Sequence, residues 1–447
     1  MAARHLGDHG EARVIQNARA LSGHILGFLR QPTVLKVGGA LFSQTVLSIS
    51  NFIVGFSVAR FALKSEYGIY IILFSLMGIV GNYQNALVNT PLMVLHNPKT
   101  EEERVQLFSG LGVGQWLVFV PLAVVVLAVA GAYGIYRQDL GPFKYAAILS
   151  VVTLAFLLRE FVRTVNYSRL RITILLKMDL MFVLMVAAGM WLIIVRDQVS
   201  STTALSVLGV SYLSVAVFAS IYAGEYYYSG FHSIRVAFAE TWKYSKWAMV
   251  GVTGDIFKNR GYIYIVTALL GLEVLAEVSA ARLFLMPVGL LVASSGRITM
   301  AKGAEIYHKS GRRRFAVFFA GITAFLLFVW IAYSLLLFVF SDTLIALLGE
   351  KYATIKIFLS AWVMYFLVYA LRYPVSSALA IFKEFKAQAK FDIVGAVVTV
   401  VACFTLTIMY GGYGTILSLA AGEFSVILIS LPLIIGHLTG RLEVVET

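Results

Sequence analysis

The sequence predicts an all-α integral membrane protein with about twelve spans in two groups of six. Three observations carry that reading. Apolar residues make up 60% of the 447 residues and charged ones only 13%, against roughly a quarter charged in soluble domains. Repeated apolar stretches reach the roughly 20 residues needed to cross a bilayer as helix. Lys and Arg fall in alternate connections in a ratio of about three to one, the bias that sets membrane orientation.

In chain order, residues 1–34 read as an amphipathic segment lying in the headgroup layer. Val14, Ala18, Leu21, Ile25 and Phe28 recur at helical spacing, with Arg13, Arg19 and His24 between them. No cleavable signal peptide is expected, because this stretch lacks a continuous apolar core. Spans follow at about 35–59, 67–93, 106–131, 145–165, 175–195 and 203–224, together the first lobe. Residues 225–245 form the longest internal connection and read as an interfacial linker, with Ile234, Phe238 and Trp242 set among Arg235, Glu240 and Lys243. The second lobe runs over 246–437, with spans at about 246–270, 274–298, 315–340, 356–381, 391–410 and 414–437, and 438–447 form a tail. The basic connections put both termini in the cytoplasm. The halves echo each other weakly: spans 2 and 8 each follow a tight turn and lead to a proline, Pro91 or Pro287. Tyr226, Tyr227, Tyr228, Trp242 and Trp247 read as an interfacial aromatic belt.

The positive charge of +13 in a soluble protein would suggest nucleic acid; here the membrane topology accounts for it, and no nucleic-acid partner is expected. No Walker-type GxxxxGK[ST] and no HExxH occur, and Cys403 is the lone cysteine, buried in an apolar segment. No metal, cofactor or catalytic activity is expected.

The informative anomaly is Asp255-Ile-Phe-Lys258-Asn-Arg260, in the middle of span 7. Each such charge at a bilayer centre costs roughly 2.5–3.5 kcal/mol, so the three face a wet, protein-lined cavity or one another. Asp255 and Lys258, three apart, share a face and pair in this reading. Arg260 points about 140° away, with Thr253, Tyr264 and Thr267 on its side. The run is then either a structural ion pair closing the bundle or a cationic wall for an anionic group. Span 8 adds Arg282, and span 10 adds Arg372 before Tyr373-Pro374, each alone explicable as structural. Asn82, Gln84, Asn85 and Asn89 of span 2, with Gln44 and Asn51 of span 1, suit either sugar hydroxyls or interhelical hydrogen bonds. Glu423 reads as an isolated buried carboxylate, structural or proton-coupling, and Asp255 is the second ion-coupling candidate. Arg60, at the outer end of span 1, is expected to snorkel to the interface.

Leu63-Lys-Ser-Glu-Tyr-Gly-Ile-Tyr70 after span 1, Leu270-Gly-Leu-Glu-Val-Leu-Ala-Glu-Val-Ser-Ala-Ala281 after span 7, Leu348-Gly-Glu-Lys-Tyr-Ala353 before span 10 and Tyr410-Gly-Gly-Tyr-Gly414 before span 12 resemble the polysaccharide-transport flippases. That family sits within the multidrug, oligosaccharidyl-lipid and polysaccharide exporter superfamily, and the resemblance spans the chain through motif order and spacing. It implies two six-helix lobes around a central cavity. It also implies passage of an undecaprenyl-pyrophosphate-linked oligosaccharide across a bacterial inner membrane by alternating access, for cell-surface or exopolysaccharide synthesis. Polysaccharide polymerase and export proteins are then the expected protein partners. By helix and depth, Lys258, Arg260, Arg282 and Arg372 match the family's cavity cations, with Asn85 and Asn89 as glycan contacts. Span 1 has no Asp or Glu, unlike the multidrug branch. A cation-coupled exporter of small molecules is the alternative, followed by a non-transporting subunit of a glycan polymerase complex.

Overall fold

The computed structural model describes residues 32–96, 99–223 and 230–440, and among them the secondary structure is helical throughout. The expected amphipathic segment at the N-terminus, the tyrosine run 226–228 and most of the C-terminal tail lie outside the described residues. The first lobe comprises α1 (Pro32–Phe61), α2 (Lys64–Gln84), α3 (Thr90–Leu95), α4 (Glu101–Gly114), α5 (Trp116–Arg137), α6 (Gly141–Ser168), α7 (Ile172–Val195) and α8 (Ser201–Ala223). The second comprises α9 (Phe231–Leu270), α10 (Leu272–Leu283), α11 (Met286–Val339), α12 (Ser341–Leu348), α13 (Lys356–Ile381) and α14 (Phe385–Thr439).

Eight described helical stretches are long and apolar enough to span a membrane by themselves, and the bent pair α10 with the start of α11 adds a ninth. Two long helices are hairpins. Gly311 (φ +82°) and Gly411 (φ +59°) break α11 and α14 in backbone regions that favour glycine. The arms then fold back: Tyr307 meets Phe315 at 5.4 Å between ring centres, and Thr407 bonds Thr415 at 2.7 Å. With α1 and α9, which carries the three charges, the described residues make twelve long helical arms, six per lobe. Large apolar side chains cover the outside, among them Val129, Phe328, Phe338 and Ile408, each more than 60% exposed. In a bilayer, that surface is where lipid belongs.

The weak repeat has a structural counterpart. Span 2 passes through a π-helical turn, Asn85–Asn89, just before Pro91, and span 8 bends by 55° just before Pro287. Proline lacks the N–H that would bond four residues back, so each break frees a carbonyl. Ser245 donates to the freed Leu87 carbonyl at 3.2 Å, and beside the bend of span 8 Tyr333 donates to the Phe284 carbonyl at 2.5 Å. Spans 3 and 9, third in each half, are equally peripheral, with 11% of their most apolar windows buried.

The expected in-plane linker takes a different form. Residues 231–245 continue directly into span 7 as one 40-residue helix, and their inner face packs on α4 of the first lobe. Lys99 pairs with Glu240 at 3.0 Å there. An unbroken helical hydrogen-bond ladder cannot turn from the membrane plane into the membrane normal, so this segment projects along the span rather than lying flat.

The lobes also meet at the end where α1 turns into α2. Lys64 pairs with Glu277 at 2.5 Å, and Thr354 donates to the same carboxylate at 3.2 Å. Lys351 donates to the Ala62 carbonyl. Arg60 does not reach outward to an interface; it crosses to the second lobe and donates to the Ala346 carbonyl at 3.4 Å. Below this seam lies a buried aromatic layer that includes Tyr67, Tyr262, Tyr352 and Trp362.

Candidate functional site: a two-chambered central cavity

Two chambers open between the lobes and share Ser48 and Asn51 of α1 as common wall. The larger, about 530 Å³, belongs to the second lobe and is lined by Asp255, Lys258, Arg282, Arg372, Asp392 and Glu423 together with Tyr365, Tyr369 and Tyr373. The smaller, about 400 Å³, belongs to the first lobe and is lined by Asn82, Asn85, Asn89, Arg159, Glu160, Arg163 and Arg260. The helix of span 7 therefore serves both. Its Lys258 faces the larger chamber, and Arg260, two residues on, faces the smaller, as a 200° helical rotation requires.

The expected Asp255–Lys258 pair does not form. Lys258 Nζ lies 2.9 Å from Glu423 Oε1 and 3.8 Å from Asp392 Oδ1. Asp255 is exposed in the chamber and accepts from Asn259 Nδ2 at 2.6 Å. Glu423 is correspondingly not isolated. Arg372 Nη2 donates to Asp392 Oδ1 at 2.7 Å, and its Nε stands 3.6 Å from Glu423 Oε2. Two cations and two carboxylates from spans 7, 10, 11 and 12 thus close a neutral network. Buried charges persist only when paired in this way, so Lys258 and Arg372 bring no surplus positive charge to the cavity.

Arg260 and Arg282 differ. Among the described residues, no carboxylate oxygen comes within 4.0 Å of either guanidinium. Arg282 donates to the Tyr262 hydroxyl at 3.0 Å and lies over the Trp362 ring at 5.1 Å. Arg260 crosses the seam to α2, donating to the Ser75 carbonyl at 3.2 Å. It rests against Gly78, where a methyl group would come within 2.6 Å of its Nη1. Its polar stripe meets the other lobe instead of a hydrated wall: Tyr264 donates to Ser75 Oγ at 3.2 Å and Thr253 bonds Tyr83 at 2.9 Å. Two guanidinium groups without a carboxylate partner among the described residues thus line the cavity, Arg282 in the larger chamber and Arg260 in the smaller. Such an arrangement favours an anion with several oxygens.

The amides divide as well. Gln84 is fully buried and ties spans 2, 3 and 4 by donating to Gln115 Oε1 at 2.8 Å and the Leu157 carbonyl at 2.7 Å. Asn85 and Asn89 face the smaller chamber; Asn89 is 5% exposed and its Oδ1 has no hydrogen-bond partner among the described residues. The Gln44 side chain lies outside the described residues.

A first-lobe cluster joins charged residues that the sequence pattern does not single out. Arg159, 3% exposed, pairs with Glu160 and, at 3.1 Å, with Asp179; Arg163 Nε lies 3.5 Å from Asp179. The guanidinium of Arg159 stacks 4.7 Å from the Phe182 ring. The available signal was Asp179, a carboxylate one turn inside span 5 that needed a cationic partner. Asp392 on span 11 was missed for the same reason.

No protein-family model matches the chain, and no curated protein matches it. Solved structures do. Over 90% of this chain and 87% of the other, the fold superposes on lipid II flippase MurJ in an inward closed conformation, with TM-score 0.67 and 15% identity. An inward-facing multidrug resistance MATE transporter of the MOP superfamily matches with TM-score 0.64 and 12% identity, over 88% and 94% of the two chains. The eukaryotic MATE transporter AtDTX14 matches with TM-score 0.61 and 14% identity, over 92% and 96%. At these identities the likeness establishes the fold alone: a multi-pass helical architecture of two lobes.

Proposed function

We propose that this chain moves a lipid-linked oligosaccharide from the cytoplasmic to the outer leaflet of a bacterial inner membrane, its headgroup attached through pyrophosphate to undecaprenol. One observation carries the reading: Arg260 and Arg282, without carboxylate partners among the described residues, each line one of two adjoining chambers inside a membrane bundle. A pyrophosphate entering between them neutralises both and receives several charge-assisted hydrogen bonds. The cytoplasmic end is the basic one, and both termini lie there. The lobe contacts at Lys64–Glu277 and Arg60–Ala346 close the outer end, and rocking of the lobes about the bound headgroup breaks them. Asp255, exposed in the larger chamber, is the carboxylate available for ion coupling, whereas Glu423 is clamped between two cations. Polymerase and export proteins of a polysaccharide pathway are the partners that fit such a role.

The lipid II flippase supports this by fold, and the multidrug transporters support the runner-up, a cation-coupled exporter of small organic compounds. The wall of Tyr365, Tyr369 and Tyr373 favours that second reading. Purified protein in liposomes separates them. Translocation of a labelled lipid-linked oligosaccharide that disappears in Arg260→Ala with Arg282→Ala supports the flippase. Extrusion of an organic cation with no lipid translocation overturns it.

A further inference from the structure

The smaller chamber has a composition that anion binding does not explain. Its α2 wall presents Asn82, Asn85 and Asn89 across the π-helical turn, where the wider coil replaces an ordinary turn. Such turns recur at functional sites. The amide of Asn82 has no hydrogen-bond partner among the described residues, and the buried Oδ1 of Asn89 has none either. A buried amide oxygen left without a donor keeps an uncompensated desolvation cost, which a ligand hydroxyl would recover. Opposite the amides lies an aromatic shelf. Phe182 and Tyr212 stack at 5.0 Å, and Phe156 meets Tyr212 edge-on at 5.3 Å. Arg159 is fixed on that shelf by its two carboxylate partners, so a donor fork and acceptor oxygens stand side by side.

Amides, a guanidinium beside a carboxylate, and aromatic faces together match a sugar. Each hydroxyl both donates and accepts, and the ring's C–H face packs on an aromatic surface. Arg260 lines this chamber, and Arg282 lines the adjoining one. We infer that the first-lobe chamber is a carbohydrate subsite, holding the sugar residues next to the pyrophosphate while Arg260 and Arg282 hold the phosphates. This deepens the proposed function and rests on it for the identity of the neighbouring group. The division of labour is specific: the first lobe reads sugar, and the two arginines read phosphate.

The subsite is testable without the lipid. Cys403 is the chain's one cysteine and is buried, so Leu47→Cys, on the wall of the smaller chamber, introduces a single reactive thiol there. Free hexoses, N-acetylhexosamines and their disaccharides are expected to slow maleimide labelling of that thiol several-fold, and sodium pyrophosphate alone is not. No protection by any sugar in the set overturns the subsite. A second arm measures binding of undecaprenyl pyrophosphate with and without an attached disaccharide. The disaccharide is expected to tighten binding about tenfold in the parent chain, the worth of one or two hydrogen bonds. Asn82→Ala with Asn89→Ala is expected to abolish that increment and leave the sugar-free lipid bound as before. Arg282→Ala weakens both ligands by the same factor. An increment that survives the asparagine changes overturns the subsite. Failure of the parent chain to bind either lipid, with sugar protection intact, instead overturns the flippase reading alone.

Discussion

The ammonium of Lys258 sits 2.9 Å from the carboxylate of Glu423 on span 12, and not on Asp255, its neighbour one turn away. This pairing removes Lys258 from the surplus charge of the cavity and leaves Arg260 and Arg282 as cavity cations with no carboxylate within 4.0 Å among the described residues. It also makes the second lobe's interior depend on a four-member ion network.

The network's members are therefore stabilising only together. Glu423→Ala strands Lys258 and Arg372, and breaking a buried pair costs ~3–5 kcal/mol. Thermal unfolding in detergent should show a large fall in Tm for Glu423→Leu and for Lys258→Met. The double variant should recover much of the loss, and strictly additive losses would show that the two residues do not interact.

Arg260 and Arg282 should behave oppositely, as functional rather than structural charges. Each substitution to alanine is expected to reduce translocation by tenfold or more, at ~1.5–3 kcal/mol per charge-assisted hydrogen bond lost, with little change in Tm. Arg282→Lys should restore only part of the rate, because an ammonium cannot offer the planar fork. Full activity in the lysine variant would argue against a bidentate role.

Gly78 holds Arg260 in place by leaving it room. A methyl group at residue 78 would lie 2.6 Å from Nη1 and push the guanidinium from its seat on Ser75. Translocation by Gly78→Val should fall nearly as far as in Arg260→Ala, with Arg260→Ala adding little when combined. Independent, multiplying losses would mean that the two residues act separately.

At the α1–α2 end, the lobes are joined by Lys64–Glu277 and by Thr354 on the same carboxylate. Glu277→Ala removes both contacts and should shift the lobes toward the state open at that end. A cysteine in place of Tyr67, which is fully buried behind the seam, would report this as faster maleimide labelling in the Glu277→Ala background. An unchanged labelling rate would mean that the seam is held elsewhere.

Gly411 turns span 11 back into span 12 at φ +59° and ψ −143°, a region essentially confined to glycine. Gly411→Ala should cost ~1–3 kcal/mol and lower Tm. Gly321→Ala, where nothing stands within 4 Å of the added methyl group, should be neutral or slightly stabilising.

The class and the crossings are legible from composition and apolar run length, because hydrocarbon imposes a one-dimensional rule: about twenty apolar residues per span, whatever the neighbours. Span 7 stood out by the same rule, since charge at mid-bilayer has a cost that composition alone reveals. Which charge meets which depends on how the helices pack. Glu423 and Asp392 come to Lys258 and Arg372 from other spans, and helical spacing carries information only about neighbours on one helix. The same limit hid the Arg159–Asp179 pair, formed between spans 4 and 5. It also hid the division of the cavity, where Lys258 and Arg260 enter different chambers. A single helix states that two residues face apart; the packing of the lobes around it states what each one faces.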